Sequence, residues 1–334
     1  MPAVSVIIPT NRPWAVIEPC LRALAEQTAH ERDMEVLLVY NGAAPAQREL
    51  ARDWPFALRV GHLAAPNIGA AKNWALDRAQ GAWILLLNDD VLPDPGFLSA
   101  HLEAHRRAAR PAMVLGQSPW RSYPDETVFD RMIQSTSMVF FYDQLRPHEW
   151  CNYRHAWNLN LSIPRSVLGD RRFDEALGPF FFEDLELAWR LETESGVRVW
   201  YAPEAVAVHD HRYTFDGYFE REFALGQAAV RLWNANPGCF RSTYGADLDA
   251  AFLDYARRYV VAEGRREEEL RRRLAVVCGR PTTDLADSAG VCDEIVQALY
   301  VAHLPLKRLA FRRGLLAAAE RVAVDSAEHA VTLR

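Results

Sequence analysis

Three clusters of side chains along the 334-residue chain could do chemistry. In "LLLNDDVLPDPGF", Leu85 to Phe97, an apolar run ends in Asn88, Asp89 and Asp90. Two adjacent carboxylates at the end of a buried strand repel each other unless a cation sits with them. A hard divalent ion such as Mg2+ prefers carboxylate oxygens and commonly shares them with substrate phosphates. In "FFFEDLELAWRLE", three carboxylates, Glu183, Asp184 and Glu186, open a helix. His209 and His211 follow "YAPEAVAV", and a lone histidine is more often a surface or satisfied core residue than a ligand. Each cluster also has a purely structural reading. Asp89 and Asp90 could cap the turn before Pro93 to Gly96. The helix-opening carboxylates would be favoured by the helix dipole, with Glu186 and Arg190 as an i,i+4 pair and Leu187 and Leu191 as core.

The elements that must position these groups follow from the pattern of apolar residues. Strands are expected at "VSVII" (Val4 to Ile8), "EVLLVY" (Glu35 to Tyr40), "ALRVGHL" (Ala57 to Leu63) and "AWILLL" (Ala82 to Leu87). Their near-continuous Val, Ile and Leu content suits strands covered on both faces. Helices are expected between them, at Ala15 to Thr28, Ala46 to Asp53 and Ile68 to Gln80, with Asn67 as N-cap of the last. A polar cluster follows every strand: "PTNR", "NG", "PNIG" and "NDD". Strands of an open parallel sheet point their carboxyl ends to one edge, where ligands bind. Beyond Pro111, strand-like "AMVLG", "STSMVFFY", "NLNLSI" and "VRVWYA" surround the helix that begins near Glu183. From Thr214 the spacing turns helical, so residues 1–213 are expected to form the catalytic domain and 214–334 a helical extension.

Composition narrows the function classes. A net charge of −6 carries no overall footprint for nucleic acid. Five scattered cysteines, Cys20, Cys151, Cys239, Cys278 and Cys292, show no zinc or disulfide spacing and fit a reducing cytoplasm. Neither a basic leader before Val4 nor a bilayer-length apolar run is visible, so no secretory signal or membrane span is expected. The turn after the first strand holds no G-x-G-x-x-G and no Walker-type loop occurs, which argues against a dinucleotide-dependent dehydrogenase and a nucleotidyltransferase.

"VSVIIPTNRP", "LVYNG", "PNIGAAKNWALDRAQGAWILLLNDDVLPDPGF" and "NLNLSIPRSVLGDRRFDEALGPFFFEDLELAWRLETESGVRVWYAPEAVAVHDH" occur in order over residues 3 to 212. This series resembles glycosyltransferase family 2. The resemblance implies a GT-A α/β fold: a mostly parallel central sheet flanked by helices, here with the helical extension. It implies that Asp90, with Asp89 beside it, is the metal-binding carboxylate of the family's D-x-D element, and that Asn88 stands where an aspartate often does. His209, in preference to His211, would complete the metal site. Pro9, Thr10 and Arg12 would line the base pocket, and Asn67, Gly69 and Lys72 would approach the ribose and diphosphate. Tyr40, beside Asn41, replaces the aspartate that typically reads a uracil edge.

The activity so implied is an inverting, Mg2+- or Mn2+-dependent transfer of a sugar from a nucleoside-diphosphate sugar, UDP-linked by preference and dTDP-linked as the variant. Asp184 would be the base, with Glu183 as its substitute. The acceptor would be a glycan, a lipid-linked sugar or a small molecule. The alternative is a catalytically silent nucleotide-sugar-binding scaffold on the same fold, which the Asn88 and Tyr40 departures would suit. "LPLKRLAFRRGLLAAAERV" in the extension reads as a packed helix with a solvated basic face, with peripheral contact at the inner membrane face as the minority reading. The helices of the extension could also cover the acceptor site or form a homo-oligomer.

Overall fold

The computed structural model describes residues 2–28, 33–42, 53–285 and 289–332. The expected helix at Ala46 to Asp53 lies almost wholly outside them. Two compact units emerge: Met1–Arg121 with Gln144–His211, and Ser122–Asp143 with Arg212–Arg334.

The first unit is built on a nine-stranded sheet. Its strands are β1 (Val4–Thr10), β2 (Met34–Asn41), β3 (Ala57–Leu63), β4 (Trp83–Leu87), β5 (Val91–Pro93), β6 (Ala112–Gln117), β7 (Trp150–Cys151), β8 (Asn160–Pro164) and β9 (Arg198–His209). The order β3-β2-β1-β4 is parallel throughout, and Ile7, Ile8, Leu37, Leu38 and Leu85 are fully buried within it. β3 departs from the expectation of two covered faces. As the edge strand it leaves Arg59 and His62 at least partly in solvent, so its polar alternation is real. Beyond β4 the sheet is mixed, because β8 runs antiparallel between β4 and β6, while β9 returns parallel to β6. β5 pairs antiparallel with the end of β9, bringing Val91 opposite His209.

Besides a single turn at Arg165–Leu168, the described helices of this unit are α1 (Trp14–Ala25), α2 (Ile68–Leu76), α3 (Phe97–Arg107) and, after α4 of the second unit (Val128–Ser135), α5 (Glu183–Ser195). Pro19 sits inside α1 without ending it. Asn67 caps α2 as its position predicts, its side-chain oxygen accepting the Ala70 N–H at 3.0 Å. In α5, Leu187 and Leu191 are core and Glu186 pairs with Arg190 at 2.8 Å.

The second unit is helical: α4, α6 (Phe215–Ala235), α7 (Pro237–Tyr244), α8 (Ala250–Gly264), α9 (Glu267–Cys278) and α10 (Ala289–Thr332). The strand expected at "STSMVFFY" is absent. Its apolar residues Met138 and Val139 are buried after α4, and the chain turns at Tyr142–Gln144 instead of pairing. The Thr127 and Asp130 capping box explains why a helix starts just upstream. The basic "LPLKRLAFRRGLL" stretch packs: Leu306, Leu309 and Leu315 are core, and Lys307 donates to the Met138 carbonyl. No helix among the described residues is long and apolar enough to cross a membrane.

α6 and α10 cross at two glycines. A Cβ on Gly226 would lie 1.9 Å from the Phe311 carbonyl oxygen, and one on Gly314 would lie 1.9 Å from that of Phe223. Backbone cannot yield as a side chain tip does. Gly314→Ala is therefore expected to destabilise the second unit by about 1–3 kcal/mol or more, as overpacking does, read as a lower urea midpoint. An unchanged midpoint would show that the helices part without cost.

Candidate active site

The end of β1 and the turn after β4 are neighbours because the two strands pair in register. Thr10, the last residue of β1, donates its hydroxyl to Asp89 Oδ2 at 2.5 Å and accepts the Arg12 N–H at 3.1 Å. That turn aims the Arg12 guanidinium at Asp90, with Nη1 2.7 Å from Oδ2. The β5–β9 register supplies the other side. The Asp210 N–H donates to the Asp90 carbonyl at 2.7 Å, and His209 Nε2 and His211 Nδ1 stand 3.5 and 3.4 Å from the same Asp90 oxygen. His209 is held flat against Trp120, with ring centroids 4.2 Å apart, and its backbone N–H donates to the Pro119 carbonyl. The structure thus brings Thr10, Arg12, Asp89, Asp90, His209 and His211 into one cluster.

The environment splits the two carboxylates. Burial first, then the neighbouring charge of Asp90, pushes Asp89 up to about 6, against the pull of Thr10 and Arg12. Burial alone would raise Asp90 too. Hydrogen bonds with His209 and His211, together with the Arg12 charge, overcome it and hold that carboxyl well below the usual carboxylate range. Beneath the pair, the Cys20 thiol faces the Asn88 carbonyl at 3.7 Å, and burial and the two aspartates push its pKa far up. It is an inert thiol.

Asp184 reaches the same edge through one dipeptide. The Asn158 backbone donates to its carboxylate, while the Leu159 carbonyl accepts the Asn88 N–H at 3.3 Å. The Leu185 N–H also donates to Asp184 Oδ1, at 2.7 Å. Burial and the Glu183 carboxylate raise Asp184 to about 6, against the Lys72 ammonium and these two N–H donors. Glu183 itself is buried and bound to Lys72, with Nζ to Oε1 at 2.7 Å.

The remaining expected site residues are placed unevenly. Lys72 is 3 % exposed, pairs its ammonium with Glu183 and lies over the Phe173 ring. Asn67 is committed as N-cap and as donor to the Glu175 carbonyl, and Asn41 Oδ1 accepts the Asn67 N–H at 2.6 Å. Gly69 packs against the Asp174 carbonyl, which a Cβ would approach to 3.3 Å. Tyr40 is 2 % exposed within β2, Pro9 is half-buried, and Asn88 is half-buried at the head of the carboxylate turn. Residues that sequence reasoning missed are Trp120 behind His209 and Asn158 behind Asp184. Trp120 was findable as part of one more polar cluster, "QSPW", after a strand.

Removing one partner of the Lys72–Glu183 pair strands a buried charge. Lys72→Met is expected to cost about 3–5 kcal/mol, as breaking a buried pair does, and the doubly substituted Lys72→Met, Glu183→Leu should recover much of it. Equal stability of the single variant and the wild type in urea unfolding would count against the pair.

The cluster's chemistry fits a divalent ion. Asp90 Oδ1 is buried without a hydrogen-bond partner in the structure, and carboxylate oxygens are the ligands that a hard divalent ion takes. No preformed cage of three acidic, histidine or cysteine side chains exists among the described residues. A site completed by substrate phosphates needs none.

The sequence profile described as "Glycosyl transferase family 2" matches residues 5–169, which hold β1 to β8 and the carboxylate turn. The succinoglycan biosynthesis protein ExoM of Rhizobium meliloti is 30 % identical over 224 residues, 64 % of this chain and 69 % of that protein. The chain belongs to glycosyltransferase family 2. This family 2 chain is also 27 % identical over 223 residues to a validoxylamine A glucosyltransferase of Streptomyces hygroscopicus subsp. limoneus; the match takes in 57 % of the chain and 48 % of the relative, so it spans about half that relative's length. A mannosyltransferase of Pyrobaculum calidifontis, solved in complex with GDP-Man and Mn2+, shares the GT-A glycosyltransferase fold at TM-score 0.54 and 18 % identity, covering 97 % of this chain and 88 % of that one.

Proposed function

We propose that the protein transfers a sugar from a nucleoside-diphosphate sugar to an acceptor hydroxyl, with inversion at the anomeric carbon and with Mg2+ or Mn2+. UDP-sugars are the favoured donors and dTDP-sugars the variant. The observation that carries this reading is Asp184: a carboxylate raised toward neutrality and tied by Asn158–Leu159 to the turn that bears Asp89 and Asp90.

Asp90 and Asp89, with His209, would hold the ion. When bound, it would supply positive charge to the departing diphosphate. Thr10 orients Asp89, Trp120 and the Pro119 carbonyl orient His209, and Arg12 adds a fixed positive charge at the same place. Asp184 takes the proton of the acceptor hydroxyl as that oxygen bonds to the anomeric carbon and the bond to the diphosphate oxygen breaks. Its raised proton affinity suits this task at neutral pH. Glu183 is the lesser choice, because Lys72 already engages it. Free thiols at Cys20, Cys151, Cys239 and Cys278 fit a reducing compartment.

The test is nucleoside diphosphate release from UDP- and dTDP-sugars with Mn2+, Mg2+ or EDTA, and NMR of the product's anomeric centre. Inversion and loss of turnover in EDTA support the reading. Retention, or turnover indifferent to EDTA, would sink it.

A further inference from the structure

The segment that delivers Asp184 is strained. Gly178, Phe181 and Phe182 all have positive φ, at 82°, 69° and 70°. For glycine that conformation is free, but two consecutive phenylalanines incur steric strain in it between Cβ and the following carbonyl oxygen. Such strain persists where surrounding structure enforces it, and it clusters at ligand sites. The neighbouring side chains diverge along this segment. Phe182 turns inward and is 8 % exposed, Glu183 goes down to Lys72, and Phe180 is thrown outward to 44 % exposure. Among the described residues of the first unit, Phe180 is the one large apolar side chain left exposed. It lies four positions before Asp184, with its ring 6.4 Å from that of Phe181.

We infer that Phe180 is an acceptor platform: its ring stacks on the apolar C–H face of a pyranose whose hydroxyl is presented to Asp184. An aromatic face carries negative potential and attracts polarised C–H groups, while sugar hydroxyls stay directed to water and polar neighbours. The acceptor class is thereby a glycoside, as opposed to a peptide hydroxyl or a flexible alcohol, which offer no such face. The inference rests on the proposed transferase reading and names the substrate class of that site. Phe180 is a specificity-determining residue here; the proton transfer belongs to Asp184.

The experiment uses the full chain with UDP and Mn2+ present and methyl β-D-glucopyranoside as probe, followed by saturation-transfer NMR and titration. In the wild type, transfer should be strongest at H1, H3 and H5, the protons of one apolar face. Phe180→Ala should weaken glycoside binding roughly tenfold, the scale of one stacked contact. Phe180→Trp should restore it, and UDP affinity should stay the same in all three proteins. Glycoside binding indifferent to Phe180→Ala, or absent from the wild type while UDP binds, overturns the platform alone. Failure of the wild type to bind UDP would instead overturn the donor reading beneath it.

Discussion

Asp184→Asn is expected to lower turnover about 10²- to 10⁴-fold, the contribution of a positioned base, while UDP affinity stays unchanged. The amide keeps an oxygen for the Leu185 and Asn158 N–H groups and loses only the charge and the proton affinity. Stability should hold or rise slightly. The folded-state pKa lies above the ordinary value, so the ionised carboxylate opposes folding at neutral pH, and the neutral amide removes its repulsion with Glu183. The pH profile separates a base from a structural residue. Since Asp184 is raised to about 6, wild-type turnover should climb with pH through that region and level above it, as the carboxylate form fills. The residual activity of the variant should lack that limb. Loss of UDP binding in Asp184→Asn, with turnover following it, would make the residue a structural or donor-side group.

Asp90→Ala should remove the Mn2+ dependence of donor binding. Calorimetry of UDP with and without Mn2+ is the measurement. In the wild type the ion should strengthen binding; in the variant the two titrations should coincide, a loss of about 100-fold or more, at the upper end of what even an outer-shell partner costs. Thr10, Arg12, His209 and His211 all converge on this carboxylate pair, so His209→Ala should give a smaller effect in the same direction. An ion effect that survives Asp90→Ala would move the metal elsewhere and remove the centre of the proposed mechanism.

The first sheet was legible because its strands are local statements: apolar runs at Val4, Glu35, Ala57 and Ala82 begin and end within a few residues of β1 to β4. Asn67 as N-cap and the Glu186–Arg190 pair were legible for the same reason, since each depends on residues three or four apart. "STSMVFFY" was misread because burial without periodicity looks the same for a strand and for a packed turn. The site was legible as a set of residue types and illegible as a geometry. Nothing near Lys72 announces that its partner is Glu183, 111 positions away. The convergence of His209 and His211 on one oxygen of Asp90 follows from the pairing of β5 with β9, a long-range register that composition does not encode.

The Asn158–Leu159 dipeptide has a mechanical consequence. One peptide unit carries the N–H that steadies Asp184, and the next carries the carbonyl that holds Asn88 at the head of the carboxylate turn. In the proposed mechanism the donor edge and the base would therefore share a lever. Under that mechanism a shift of the turn to take a larger donor is expected to be passed through this dipeptide to Asp184, which would couple donor size to acceptor alignment.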